Sequence, residues 1–208
     1  MPETLDGTYQ HTLQDIDKAD RTLTHRLFSC VSVACRPLRV KELAELLAFD
    51  FKAGPFRLFR RGWRRENLVD AVRSTYSSLL AIVNIEDTPV VQFSHFSVRE
   101  FLGNVHLVQD KDNISWHHVS MTPAHTLVAQ VCLDILLHMG NISITKKSLG
   151  RFPLAEYAAE HWVDHARFGN VSQIVEDRMK RLFDPRKPHL AVCLWIYNPE
   201  IPRWRRPE

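Results

Sequence analysis

The stretch Val90-Val-Gln-Phe-Ser-His95-Phe-Ser97-Val-Arg-Glu100-Phe-Leu102 decides how this chain is read. Its first part, Val90–Phe93, is β-branched and apolar, which suits a half-buried strand. The spacing then becomes helical, with Val98, Phe101, Leu102 and Val105 on one face. Ser97 with Glu100 three residues on predicts a capping box, the hydroxyl accepting from an amide and the carboxylate reaching back. His95 falls at the junction, two residues before that cap. Rigid elements on both sides can aim its side chain.

Upstream, Leu79–Val83 predicts a partner strand, and residues 84–89 supply the turn, so the two strands form a hairpin. Three helices precede it. Asp20 is placed to cap the first, which runs to about Ala34 with Leu23, Leu27, Val31 and Ala34 inward, and Pro37 stops it. Arg36–Arg39 makes a tight turn into Val40–Ala48. Phe49–Arg65 is looser, broken by Gly54-Pro55 and Gly62. Asn67–Ser78 gives the third helix, with Leu68, Ala71, Val72 and Thr75 inward. Three helices followed by a hairpin is the order of a winged helix, and the agreement among elements supports the fold more than any single one.

Downstream, Gln109–Asn113 is polar and marks the best internal boundary. Beyond it the pattern is helical. Thr122-Pro123 starts a helix with Ala124, Leu127, Val128, Val131, Cys132, Ile135 and Leu136 inward, ended by Gly140. Pro153 opens another, with Leu154, Tyr157, Ala158, Trp162 and Ala166 on one face and Gly169 closing it. Ser172 caps a third, with Ile174, Val175, Met179 and Leu182 inward, and Pro188–Tyr197 is a short apolar fourth. The expected fold class is mainly α: a leading helix at 1–17, a winged helix at 18–108, a linker at 109–116, a small helical domain at 117–198 and an extended tail at 199–208.

The chain also carries a resemblance. His95-Phe-Ser-Val-Arg-Glu-Phe-Leu102 resembles the His-(Leu/Phe)-Ser-x-x-Glu-(Phe/Tyr)-Leu signature closing the winged-helix domain of NACHT-type (STAND) signalling NTPases. Pro2-Glu-Thr-Leu-Asp-Gly-Thr-Tyr9 is similar to the Pro-x-x-Leu-x-x-x-Tyr segment just after the nucleotide domain of fungal NACHT proteins, which implies that the chain begins where an NTPase ends. Ala124–Leu133 and Leu154–Trp162 resemble the helical spacer before the repeats of fungal NACHT–ankyrin proteins. The first half also resembles a domain type named after the winged helix of a GPI inositol-deacylase, a label for a domain and not an activity. In the NACHT family the signature histidine touches the β-phosphate of bound ADP and helps hold the switch off. The resemblance therefore implies a phosphate-sensing role for His95, with ADP or ATP held by a separate NACHT domain. It also implies intramolecular partners: that domain, and ankyrin repeats of a full-length protein.

Composition narrows the alternatives. A net charge of +3 over 208 residues is too weak to imply nucleic acid or a membrane surface. No apolar run approaches the roughly 20 residues of a membrane span. Cys30, Cys35, Cys132 and Cys193 lack Cys-x-x-Cys spacing and read as small core residues of a reducing compartment, so the default address is cytoplasmic. The Asn-x-Ser sequons at Asn113, Asn141 and Asn170 read as chance occurrences.

No enzyme activity, no catalytic residue and no metal site are expected. The seven glycines include no Gly-x-x-x-x-Gly-Lys, so the chain by itself has no phosphate cradle. Ser94 and Ser97 flank His95, but there is no Gly-x-Ser-x-Gly elbow and Ser97 reads as a cap. Cys30, Cys35 and Cys132 fall on apolar faces, where thiols are inert. His161 and His165 have zinc-chelating spacing, yet they border an apolar stripe and read as packing; His117-His118 has no ligand cluster beside it. Residue chemistry alone makes His95 a junction histidine bonded to backbone; the resemblance makes it a sensor. Arg57, Arg60, Arg61, Arg64 and Arg65, with Phe59 and Trp63, form either a solvated loop or a patch for an acidic partner or DNA. The third helix carries Glu66 and Asp70 beside Arg73, which favours the loop, since DNA-reading winged helices are basic there. The preferred expectation is a non-catalytic regulatory module that packs on a NACHT nucleotide-binding domain and helps hold its off state. The alternatives are a DNA-binding winged-helix protein and a truncated, stand-alone interaction domain.

Overall fold

A computed structural model describes residues 5–49, 72, 78–104, 115–142, 145 and 149–200. The chain divides into two compact units, Met1–Leu47 with Arg64–Ala124, and Ala48–Trp63 with His125–Glu208. The class is mainly α, as the sequence predicts. Among the described residues no helix is long and apolar enough to cross a membrane.

The first unit contains α1 (Leu5–Gln14), α2 (Arg21–Val33), β1 (Leu38–Arg39), α3 (Val40–Leu47), β2 (Leu80–Ile85), β3 (Thr88–Phe93), α4 (Phe96–Leu102) and a 3-10 turn at Ser115–His117. The strands form one antiparallel sheet in the order β1-β3-β2. The hairpin turns on Glu86 and Asp87, both at positive φ (46° and 59°). That conformation matches the twist of the flanking strands, and a short acidic side chain such as Asp87 tolerates it. Pro89 lies in the central strand opposite Asn84. It is accommodated because β1 reaches only Val90 and Val91, so no ladder partner on that side asks for its missing N–H.

Three local readings are corrected here. Arg36–Arg39 is more than a turn, since Leu38 and Arg39 form a third strand against Val91 and Val90. Asp20 stands at the N-cap of α2 without a side-chain cap bond; the Thr24 hydroxyl donates to the Asp20 carbonyl instead, at 2.9 Å. The buried face of α2 is also rotated. Leu27, Phe28, Cys30 and Val33 are inward, whereas Leu23, Val31 and Ala34 are half-buried. The bulk of Phe28 sets that rotation, its ring lying 6.4 Å from Phe93 and 6.3 Å from His117.

The start of α3 is held by Glu42, which is fully buried. Its carboxylate accepts from the Arg36 guanidinium at 2.8 and 2.7 Å and from the Arg39 amide at 2.8 Å. As the third helical residue reaching back to the amide before the helix, Glu42 supplies the carboxylate half of a capping box. Val72 is helical and buried. Ser78, the expected end of the third helix, lies in a turn; residues 67–71 and 73–77 of that helix, the five arginines from Arg57 to Arg65, the residues around 109–113 and the tail 201–208 lie outside the described residues.

The second unit holds most of α5 (Met121–Met139), then α6 (Ala155–Ala166), α7 (Val171–Ile174), α8 (Glu176–Leu182) and α9 (His189–Ile196). From Val128 to Leu137 every α5 residue but Gln130 is buried. Asp134 in that stretch is matched by Arg178 of α8, with Nε at 2.8 Å from one carboxylate oxygen and Nη2 at 3.3 Å from the other. The inward face expected for α6 is the buried one.

Two expected punctuation marks act differently. Gly140 ends α5, but not as a left-handed cap. A Cβ there would lie 2.9 Å from the His189 Cα and collide with the His189 ring, so the glycine permits close packing of α9. Gly169, after α6, does take the left-handed form at φ 51°. Ser172 caps nothing: it lies inside α7, and the chain breaks at Val175 before α8. Ile174 is exposed in consequence, while Val171, Val175 and Leu182 are buried.

Candidate functional site

His95 lies two residues past the end of β3 and is the N-cap of α4, in extended backbone, φ −147° and ψ 150°. That conformation swings the imidazole over the first helical turn, where Nδ1 accepts from the Ser97 amide at 3.3 Å. The Ser97 hydroxyl lies 2.7 Å from the same nitrogen and 2.9 Å from the Tyr9 hydroxyl. The capping box expected at Ser97 and Glu100 is therefore replaced. The helix starts one residue earlier than Ser97, the histidine ring is the cap, and the Ser97 hydroxyl is shared between His95 and Tyr9.

These contacts fix the hydrogen positions. An amide N–H can only donate, so Nδ1 is an acceptor and the neutral ring carries its hydrogen on Nε2. The Ser97 hydroxyl then donates to Nδ1, and Tyr9 donates to Ser97. The result is a one-way chain, Tyr9 to Ser97 to His95, that leaves an N–H donor on an exposed side chain. Phe96, 70% exposed, lies beside the ring at 4.4 Å between centroids. The arrangement can offer one oriented hydrogen bond to an acceptor such as a phosphate oxygen. The Ser97–His95 contact has the length of a nucleophile–base pair. Nδ1 is, however, shared with an amide, and among the described residues no carboxylate orients the ring.

Tyr9 stands in the segment that the sequence singled out, but its contact with the His95 junction was not legible there. Its pattern places it on the apolar face of α1, and only the packing of α1 on α4 brings it to Ser97, 88 residues away.

The other candidate residues have contacts of their own. His165 is buried, with Nε2 at 2.9 Å from the Tyr157 hydroxyl and Nδ1 at 3.0 Å from His125 Nδ1. Burial first, then His125 and His161, pushes its pKa down to about 3. His161 bonds Asp164 at 3.1 Å. His117 is fully buried, and burial followed by the charges of Arg21 and His25 lowers its pKa to about 4. His118 has Ser120 Oγ at 3.3 Å. All four cysteines are free thiols. Burial pushes Cys193 up to about 11. Cys35 departs from expectation, being exposed in the turn after α2.

The chain is similar in sequence to known proteins. Over 209 positions the chain is 31% identical to the Azaphilone pigments biosynthesis cluster protein L of Monascus ruber, a match covering 95% of this chain and 42% of that protein. The chain thus spans less than half of that relative's length. No solved structure matches the chain. Residues 12–112 match the family model described as GPI inositol-deacylase, winged helix domain. That segment holds α2, the three-stranded sheet and the His95 junction, so this part of the chain matches a winged-helix domain of the GPI inositol-deacylase type.

Proposed function

We propose that this chain is a non-catalytic regulatory module of a NACHT-type signalling NTPase. Its winged helix packs on the nucleotide-binding domain, and His95 contributes a hydrogen bond to the phosphate of bound ADP that favours the off state. The observation that carries this reading is the Tyr9–Ser97–His95 chain, which holds an exposed imidazole with its outer nitrogen as the donor. A ligand shifts such a switch only by its different affinity for the two states, and one charge-assisted hydrogen bond present in one state supplies that difference. The winged-helix family match and the resemblance of the His95–Leu102 signature support the assignment. The helical unit then acts as a spacer, and the setting is the cytoplasm.

The test has two arms. Calorimetry of the isolated chain with ADP should show no micromolar binding, because no glycine-rich cradle is present in its sequence. In a polypeptide that joins this chain to a NACHT domain, His95→Ala should release ADP roughly ten- to a hundredfold faster, the loss of about 1.5–3 kcal/mol expected of a hydrogen bond to a charged group. Unchanged ADP release would sink the proposal.

A further inference from the structure

The face of α4 that looks away from the core frames a cavity. Phe96, Arg99, Glu100 and Gly103 line it at helical spacing, and Ser32 of α2, Val119 and Met121 complete it. Its volume is about 560 Å³. Small-molecule sites span roughly 300–1,000 Å³.

Ser32 gives this cavity chemical direction. It is 4% exposed, and its hydroxyl oxygen has no hydrogen-bond partner among the described residues. A helical serine commonly satisfies itself on the carbonyl four residues back; this one does not. A buried hydroxyl left unpaired is unfavourable, so the inner end of the cavity is suited to one matching polar group. Phe96, Val119 and Met121 supply an apolar wall, and a ring with a thioether is a good surface for an aromatic body. Arg99 and Glu100 are exposed and, among the described residues, in no ion pair. Side by side on one helix they present both signs of charge, which favours a neutral ligand over an ion. An extended peptide fits poorly, since its row of amides and carbonyls would meet a single buried polar atom.

We infer that this cavity binds a small neutral aromatic molecule bearing a hydroxyl or carbonyl group, its oxygen paired with Ser32 and its ring against Phe96 and Met121. The inference is independent of the nucleotide reading, because it uses neither the outer nitrogen of His95 nor any second domain.

The test is an amide-resolved NMR titration of the full 208-residue chain with phenol, and with toluene as the same ring without the oxygen. Phenol should shift the amides of Ser32, Gly103 and Met121. Toluene should bind roughly fivefold more weakly, the effect of one neutral hydrogen bond. Ser32→Ala removes an unpaired hydroxyl, so the fold is retained while phenol falls to the toluene affinity. Gly103→Leu should abolish both, since the added Cβ meets only the Arg99 and Glu100 carbonyl oxygens, at 3.4 and 3.7 Å, and the side chain fills the cavity. The inference is overturned if millimolar phenol leaves those amides unmoved, if phenol and toluene bind equally, or if Ser32→Ala changes nothing. It is likewise overturned if the shifts follow protein concentration, which would make a second copy the occupant.

Discussion

The His95 imidazole serves two purposes that substitutions can separate. As a cap it satisfies the Ser97 amide, and as an exposed donor it can meet an acceptor. His95→Ala should lower stability by about 1 kcal/mol, read as a shift in the urea midpoint, because the cap is lost. His95→Asn should retain most of that stability, since asparagine is a favoured cap, while removing the outer donor. Equal loss in both variants would show that the ring does not cap the helix. Tyr9→Phe tests the far end of the chain and should cost about 1 kcal/mol, the net worth of one hydrogen bond. At this scale the sequence revealed the position of His95 but not its support. Strand pattern and helix spacing are local, so the junction could be read. The Tyr9–Ser97 contact depends on two helices meeting, and nothing in the spacing of either residue announces it.

Individual elements show why other readings succeeded or failed. The hairpin was legible because apolar runs flank a stretch rich in turn formers, but its turn is tighter than the 84–89 read from the sequence: only Glu86 and Asp87 turn, Asn84 and Ile85 extend one strand, Thr88 and Pro89 the other, and Ile85 pairs with Thr88. β1 was not, because two residues carry no period. Caps were the weakest readings. Ser97, Asp20 and Ser172 all have capping chemistry, yet none of the three side chains caps, while Glu42, inside an apolar stretch, does this work for α3. Gly140 was recognised as a stop, although its reason is contact. Gly140→Ala should therefore destabilise the second unit by about 1–3 kcal/mol, the usual cost of overpacking, measured by thermal unfolding; full retention of stability would mean that α9 can retreat at no cost. Asp134→Ala should cost about 3–5 kcal/mol, because it removes the carboxylate that the buried Arg178 guanidinium pairs with. Pairing Asp134→Leu with Arg178→Met should recover most of that loss. Failure to recover would mean that the pair matters through more than its charges.

For the whole molecule, each unit contains a buried histidine whose pKa burial lowers, His117 in the first and His165 in the second, where the buried His189 is lowered as well. His117 faces Arg21 and His25; His165 faces His125, His161 and Asp164. The folded pKa values, about 4 and about 3, lie below the ordinary 6.5, so the unfolded chain binds more protons throughout that interval. Stability from these groups is complete above about pH 6.5 and declines as pH falls toward 4 and 3. Between pH 7 and pH 5 each histidine should remove about 2 kcal/mol, so both units weaken together on mild acidification. His165→Phe should flatten that dependence in the second unit, and an unchanged pH profile would show that the ring is not held neutral. The contact between α1 and α4 has a practical consequence of another kind. The family match opens at residue 12, whereas the hydroxyl that steadies Ser97 belongs to residue 9. A polypeptide trimmed to the matched boundary would keep its sheet and its histidine yet let the imidazole swivel. Such a truncation is thus a ready control, able to loosen the exposed imidazole without substituting His95 itself.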